Sequence, residues 1–218
     1  MQNISTAIKM TSFIKLASDF KVDWDIDDIT SKISNDIQTP DNIRNSYTDS
    51  SGMVHDKPYF DSSGVAHWQY YIAGISFSRN FFKNFPRECL NVVIKLKKLQ
   101  RMYADIPTDN KLILTFINHN IIPQKVNIIR TMGGTNVSVH CDTTRNSCIN
   151  IGLKNSNTFR TRISESQDVN NFYNSPTETY TMNDGDAYLI DIKNAHSVES
   201  LTSIVEPRYL ITYNLNEI

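Results

Sequence analysis

The stretch NVSVHCDTTRNSCINIGL, residues 136–153, decides the fold. Read as extended chain, it puts Val137, Val139 and Cys141 on one face and Asn136, Ser138, His140 and Asp142 on the other, because successive side chains of a strand alternate. Further runs of the same texture flank it. Strands are expected at Val126–Thr131, Asn136–His140, Ser147–Leu153, Thr158–Ile163, Glu178–Met182, Ala187–Ile192, His196–Ser200 and Arg208–Leu215. Gly133-Gly134 and Asn183-Asp184-Gly185-Asp186 supply turns. About eight short strands at this spacing predict a mainly β fold with flanking helices, of the double-stranded β-helix (jelly-roll, cupin-like) type.

The N-terminal part reads differently. A strand is expected at Ser12–Leu16. Ile26, Ile29, Ile33 and Ile37 recur at helical spacing after a cap at Asp25 or Asp27, and Pro40 ends that helix. The Asp cluster over 23–28 suits a solvated helix start. Residues 41–64 read as a long loop of Ser, Asp, Asn and Gly, and 65–84 are aromatic-rich and of open type. Both are candidate lids. Pro86 opens a helix running to Tyr103, and a second helix is expected over Asp109–Asn120. The chain is therefore expected to form one domain, 1–218, with a helical and loop elaboration over 1–124 and a jelly-roll core over 125–218. The helices need an apolar partner, and the outside of the barrel is the simplest one.

Bulk properties narrow the function classes. A chain of 218 residues, 39% hydrophobic, can bury a core. The net charge is -1 and no Lys/Arg block stands out, so no strong nucleic-acid or anionic-membrane signal is present. Cys89, Cys141 and Cys148 fit neither a zinc motif nor a disulfide framework. They suit a reducing compartment, with Cys89 and Cys148 as buried small hydrophobes. Neither a signal peptide nor a membrane span is legible, so a soluble, cytoplasmic protein is expected.

The chemistry concentrates in a few residues. His140 and Asp142 share a face, roughly 7 Å apart along the backbone, close enough for their side chains to meet on one ion. His196, in DAYLIDIKNAHSVES, offers a third ligand. Two imidazoles and one carboxylate suit the facial triad of non-haem Fe(II) better than the oxygen-rich shells of Mg or Ca. Arg208 opens RYLITYNL and shares a face with Leu210 and Thr212. An inward Arg is costly unless paired, and a ligand carboxylate would pair it in two-pronged fashion. Blander readings stand beside these: a core His140 bonded to Asp142, a surface His196, an Arg208 reaching solvent from a strand start. His55, His67 and His119 read as ordinary, although His67 beside Trp68 is a candidate substrate-side pair.

His140-Cys141-Asp142, the distal His196, the following Arg208, the SCINIGL strand and the NDGD turn into the last ligand strand resemble the Fe(II)/2-oxoglutarate-dependent dioxygenase superfamily. The likeness covers 125–215 and is nearest to aspartyl/asparaginyl β-hydroxylase-like and prolyl-hydroxylase-like members. It implies Fe(II) on His140, Asp142 and His196, and 2-oxoglutarate held at its distal carboxylate by Arg208. Asn150 would touch the chelating end, Thr212 would add a hydroxyl, and Arg145 would serve substrate or co-substrate. It further implies hydroxylation of a C–H bond in an amino acid, peptide side chain or small metabolite, using O2 and releasing succinate and CO2. Asp142 stands where typical aspartyl β-hydroxylases carry a small residue, and where halogenating relatives leave room for halide. Two other classes are consistent with the residues: a cupin-type metal enzyme that does not use 2-oxoglutarate, and a non-catalytic jelly-roll binding protein.

Overall fold

The computed structural model describes residues 12–22, 46–48, 54–56, 59–60, 65–69, 87–122, 126–131, 134, 136–142, 145–202, 206 and 208–215. The strands are β1 (Phe13–Ala17), β2 (Ser46–Thr48), β3 (Val54–Asp56), β4 (Tyr59–Phe60), β5 (Val65–Gln69), β6 (Val126–Thr131), β7 (Val137–His140), β8 (Ser147–Lys154), β9 (Phe159–Ser164), β10 (Thr177–Thr181), β11 (Ala187–Asp191), β12 (His196–Ser200) and β13 (Arg208–Leu215). Among the described residues two α-helices, α1 (Arg87–Ala104) and α2 (Lys111–Asn118), precede β6. Among the described residues one sheet runs β1-β11-β8-β13-β6-β5-β4, a second runs β10-β9-β12-β7, and β2 pairs with β3. Neighbouring strands are antiparallel throughout. No described helix is long and apolar enough to cross a membrane.

The two larger sheets face each other. Tyr180 of β10 stacks on Tyr188 of β11 with ring centroids 4.5 Å apart, and Phe13 of β1 lies 4.7 Å from Tyr180. Cys148, Ile163, Met182, Ile190 and Ile192 fill the space around these rings. The expectation that Cys148 is buried holds, while the Cys89 side chain lies outside the described residues.

A second core covers the outer face of the larger sheet. Ile149, Ile151, Leu189, Ile211, Tyr213 and Leu215 pack with Val92, Val93 and Leu96 of α1 and Phe116 of α2. The spacing of those α1 residues presents one apolar stripe, which is why a helix forms there and why it lies on the sheet. Asn110 caps α2 by accepting from the backbone N–H groups of Leu112 and Ile113 at 3.0 and 3.3 Å. Gln100 of α1 donates to the Phe116 and His119 carbonyls at 2.6 and 2.7 Å, which fastens the two helices. The Tyr103 hydroxyl donates to the Leu16 carbonyl of β1 at 3.1 Å.

Three expectations need correction or fall away. The loop expected over 41–64 contains β2, β3 and β4. Strands of two or three residues are too short for alternation to register, and their pairing is a tertiary effect. β1, β4 and β5 extend the larger sheet, so residues before 125 supply sheet as well as helix and loop. The helix expected before Pro40 lies outside the described residues.

Candidate metal centre and its buried arginine

β7 and β12 pair so that His140 and His196 stand directly opposite one another, with ring centroids 4.2 Å apart. The register slips between His196 and Val198, whose partners are His140 and Val137. Such a bulge re-aims side chains at a sheet edge. Asp142 follows just past the end of β7, where its N–H donates to the Ile192 carbonyl at 3.0 Å. One ligand atom each from His140, Asp142 and His196 lies within 4.8 Å of the others. Asp142 Oδ2 is 3.8 Å from His196 Nε2.

Backbone carbonyls set the imidazoles. His140 Nδ1 is 2.8 Å from the Ser138 carbonyl, and His196 Nδ1 is 2.9 Å from the Asn194 carbonyl. A carbonyl only accepts, so each Nδ1 acts as the donor and Nε2 is the nitrogen left to face a metal. Burial, and then the neighbouring His140, push the His196 imidazole below its ordinary 6.5. It therefore stays neutral, the form a metal requires. The donor set of two neutral nitrogens and one carboxylate fits an Fe(II)-type facial triad. Cys141 turns aside, as its alternation predicts, and its thiol donates to the Gln167 carbonyl at 3.1 Å.

Arg145 lies beside this triad. Its Nε and Nη2 donate to Asp142 Oδ1 at 3.2 and 2.5 Å, and Nη1 donates to Asn214 Oδ1 at 2.8 Å. These contacts place the residue expected to serve substrate or co-substrate directly against the carboxylate of the triad. Sequence spacing alone could not separate the two, since an Arg three residues from a ligand can turn either way.

Arg208 points between the sheets and is 5% exposed. Its guanidinium sits 4.4 Å from the centroid of the Phe159 ring. Nη2 reaches Thr131 Oγ1 only at 3.4 Å, and Nε has no hydrogen-bond partner. No carboxylate pairs with it among the described residues. Burial alone pushes it down to about 10, with the nearby Tyr180 acting weakly the other way. Tyr180 has a buried hydroxyl that faces Thr161 and Asn150 without a hydrogen bond of good geometry to either. Sequence reasoning missed Tyr180, because a phenol in TETYT looks like any core aromatic.

Asn150 and Thr212 stand opposite each other on β8 and β13, and the Thr212 hydroxyl donates to Asn150 Oδ1. The buried Cys148 thiol donates to the same oxygen at 3.6 Å. His67 and Trp68 fall on β5, opposite Ile129 and Ile128 of β6, and their side chains lie outside the described residues. His119 is an ordinary buried residue with its ring edge-on to Tyr213.

No protein-family model and no curated protein matches the chain. Several solved structures are similar to it. A prolyl-4-hydroxylase from Pseudomonas putida is 10% identical, with 95% of this chain and 93% of that chain covered at a TM-score of 0.47. The non-heme alpha ketoglutarate dependent epimerase SnoN from nogalamycin biosynthesis is 8% identical, with 93% and 77% covered and a TM-score of 0.47. Oxalate oxidase in complex with glycolate is 14% identical at a TM-score of 0.33, and the match takes in 42% of this chain and only 41% of that one. Identities this low transfer no residue role, so the roles of His140, Asp142, His196 and Arg208 rest on this chain's own geometry.

Proposed function

We propose that the chain is an Fe(II)- and 2-oxoglutarate-dependent oxygenase that hydroxylates a C–H bond of an amino acid, peptide side chain or small metabolite. One observation carries this: His140, Asp142 and His196 bring ligand atoms within 4.8 Å of one another, and the same fold buries Arg208 with no carboxylate partner among the described residues.

His140 and His196 would give neutral nitrogens to the iron and Asp142 one carboxylate oxygen. The set supplies three ligands and leaves the remaining positions open. Arg208 would hold the distal carboxylate of 2-oxoglutarate, with Nε as a donor already lacking a partner. Tyr180 brings a second orphan donor to the same carboxylate. Asn150 and Thr212, paired across β8 and β13 on the same face as Arg208, would orient the keto acid. The walls of Phe159, Ile163 and Tyr188 keep water from the reacting atoms. With iron bound, 2-oxoglutarate and O2 would give succinate and CO2 while the second oxygen atom enters the substrate C–H bond. The free thiols Cys141 and Cys148 suit a reducing compartment such as the cytoplasm.

A succinate-release assay tests the proposal. Fe(II), 2-oxoglutarate and pooled amino acids, peptides and metabolites are supplied to the wild type and to Asp142→Ala. Succinate from the wild type alone supports it. Tight metal binding without any Arg208-dependent 2-oxoglutarate binding would instead identify a metal enzyme of another kind, and no metal site at all would leave a binding protein.

A further inference from the structure

We propose that Arg145 is a positioning residue that forces Asp142 to offer one oxygen to the metal, and that Asn214 anchors Arg145 for this task. The inference rests on the metal-site reading above.

Two donors of one guanidinium, Nε and Nη2, converge on the same carboxylate oxygen, Asp142 Oδ1. The other oxygen, Oδ2, is the one that lies 3.8 Å from His196 Nε2. So the carboxylate has divided roles: Oδ1 faces the protein and Oδ2 faces the ligand cluster. A carboxylate with both oxygens free can chelate, and chelation here would fill a position the co-substrate needs. Asp142 lies beyond the end of β7 and lacks the strand pairing that fixes His140. Its backbone is tied by one bond to the Ile192 carbonyl. Its side chain is tied by Arg145, whose third nitrogen, Nη1, is held by Asn214 of β13. β13 also carries Arg208. The Asn214–Arg145–Asp142 chain of contacts thereby sets the metal's carboxylate ligand against the strand that bears the anion-binding residue.

The charge of Arg145 and its geometry make opposite demands. A guanidinium beside a metal site repels the incoming cation, so a merely electrostatic role means tighter metal binding when it is removed. Positioning means weaker binding, since outer-shell partners of ligands typically contribute about 10–100-fold in metal affinity.

Anaerobic Co(II) titration of the full chain, followed by visible absorption, separates them. Arg145→Gln and Arg145→Lys are both expected to weaken Co(II) binding about 10–100-fold, because Lys keeps the charge and loses the fork. Asn214→Leu should weaken it by less. At saturation the Arg145→Gln bands should shift as the second oxygen joins the metal, which a purely structural role would not produce. Unchanged or tighter binding in both Arg145 variants, with an unshifted spectrum, overturns the proposal. Should Arg145→Gln fail to fold by circular dichroism, Arg145→Lys and Asn214→Leu decide on the same criteria. Asp142→Ala keeps the two ideas apart: if it leaves Co(II) binding intact, the metal centre itself is wrong; if it abolishes binding while the Arg145 variants do not, only the clamp is wrong.

Discussion

One face of β8 and β13 carries Ile149, Ile151, Ile211, Tyr213 and Leu215, packed against α1 and α2; the opposite face of the same two strands carries Cys148, Asn150, Arg208 and Thr212. Burial is comparable on the two sides, and the chemistry is not. The outer face gains free energy from every apolar surface it removes from water, roughly 25 cal/mol per Å². The inner face holds Arg208, a cation with no counter-ion among the described residues and with an unpartnered Nε, which costs free energy. The lesson is that apolar packing on both faces stabilises a fold that carries Arg208 at a cost.

The largest effect expected from breaking this contrast is on the outer face. Phe116→Ala removes a fully buried ring from the helix–sheet core and should lower stability by about 3–5 kcal/mol. Co(II) affinity of the folded variant should stay within about two-fold, as expected for sites that do not share partners. Urea denaturation and Co(II) titration measure the two, and loss of the metal site in a still-folded Phe116→Ala would mean that the faces are not separable.

Arg208→Met should move stability the other way. Burial pushes Arg208 below its ordinary value, to about 10. The folded form therefore binds its proton less well than the unfolded chain does. Stability from this group returns only as pH rises past the folded value, and at neutral pH the full cost is in force. Replacing the cation by an apolar chain should gain on the order of 1–4 kcal/mol, read as a higher urea midpoint at pH 7. The same variant should weaken 2-oxoglutarate binding at least ~30-fold, by calorimetry on the Co(II)-loaded protein. A destabilised Arg208→Met would show that the cation has a structural partner after all.

The pH dependence of the metal-free protein gives a smaller effect. His196 titrates below its ordinary 6.5 because it is buried and lies beside His140. Its contribution to stability is present above 6.5 and is lost as pH falls through the lowered folded value. His196→Gln should therefore lose less stability than the wild type between pH 7 and pH 5. Asp191 works in the opposite sense, since burial raises its carboxyl. The difference between the two proteins, not either slope, is the measurement; equal slopes would contradict a buried neutral His196.

Much of this contrast was legible in the chain. Alternation put Arg208, Leu210 and Thr212 on one face and Tyr209, Ile211 and Tyr213 on the other, and the barrel strands from Val126 onward lie within a residue of where turn chemistry and alternation put them. Local pattern decides such things, because a strand with one face in each core has its register written in its side chains. What was not legible depends on the third dimension. Tyr180 is a site candidate only because Arg208 lies across the gap. Arg145 is anchored between two elements only because Asn214, far along the chain, comes beside it. β2, β3 and β4 are stabilised by partners, not by their own two or three residues.

The smallest effect tests whether the inner face is costly at every position or only at Arg208. Thr212 and Asn150 satisfy one another across β13 and β8, unlike Arg208 and Tyr180, whose orphan atoms face the interior. Thr212→Val keeps the shape and removes the donor, so Asn150 Oδ1 keeps the long contact from the Cys148 thiol and loses its hydroxyl partner on β13. A lost hydrogen bond of this kind costs about 1 kcal/mol. Adding Asn150→Leu should then recover part of that loss, because removing both partners leaves nothing unsatisfied. Urea midpoints of the two single variants and the double variant form the cycle. Non-additive losses mean that the pair is a closed structural bond and that the unpaired polar cost lies elsewhere, at groups such as Arg208 and Tyr180. Additive losses mean that each group faces the ligand space by itself, and that the keto acid would find its polar partners already separated along the wall.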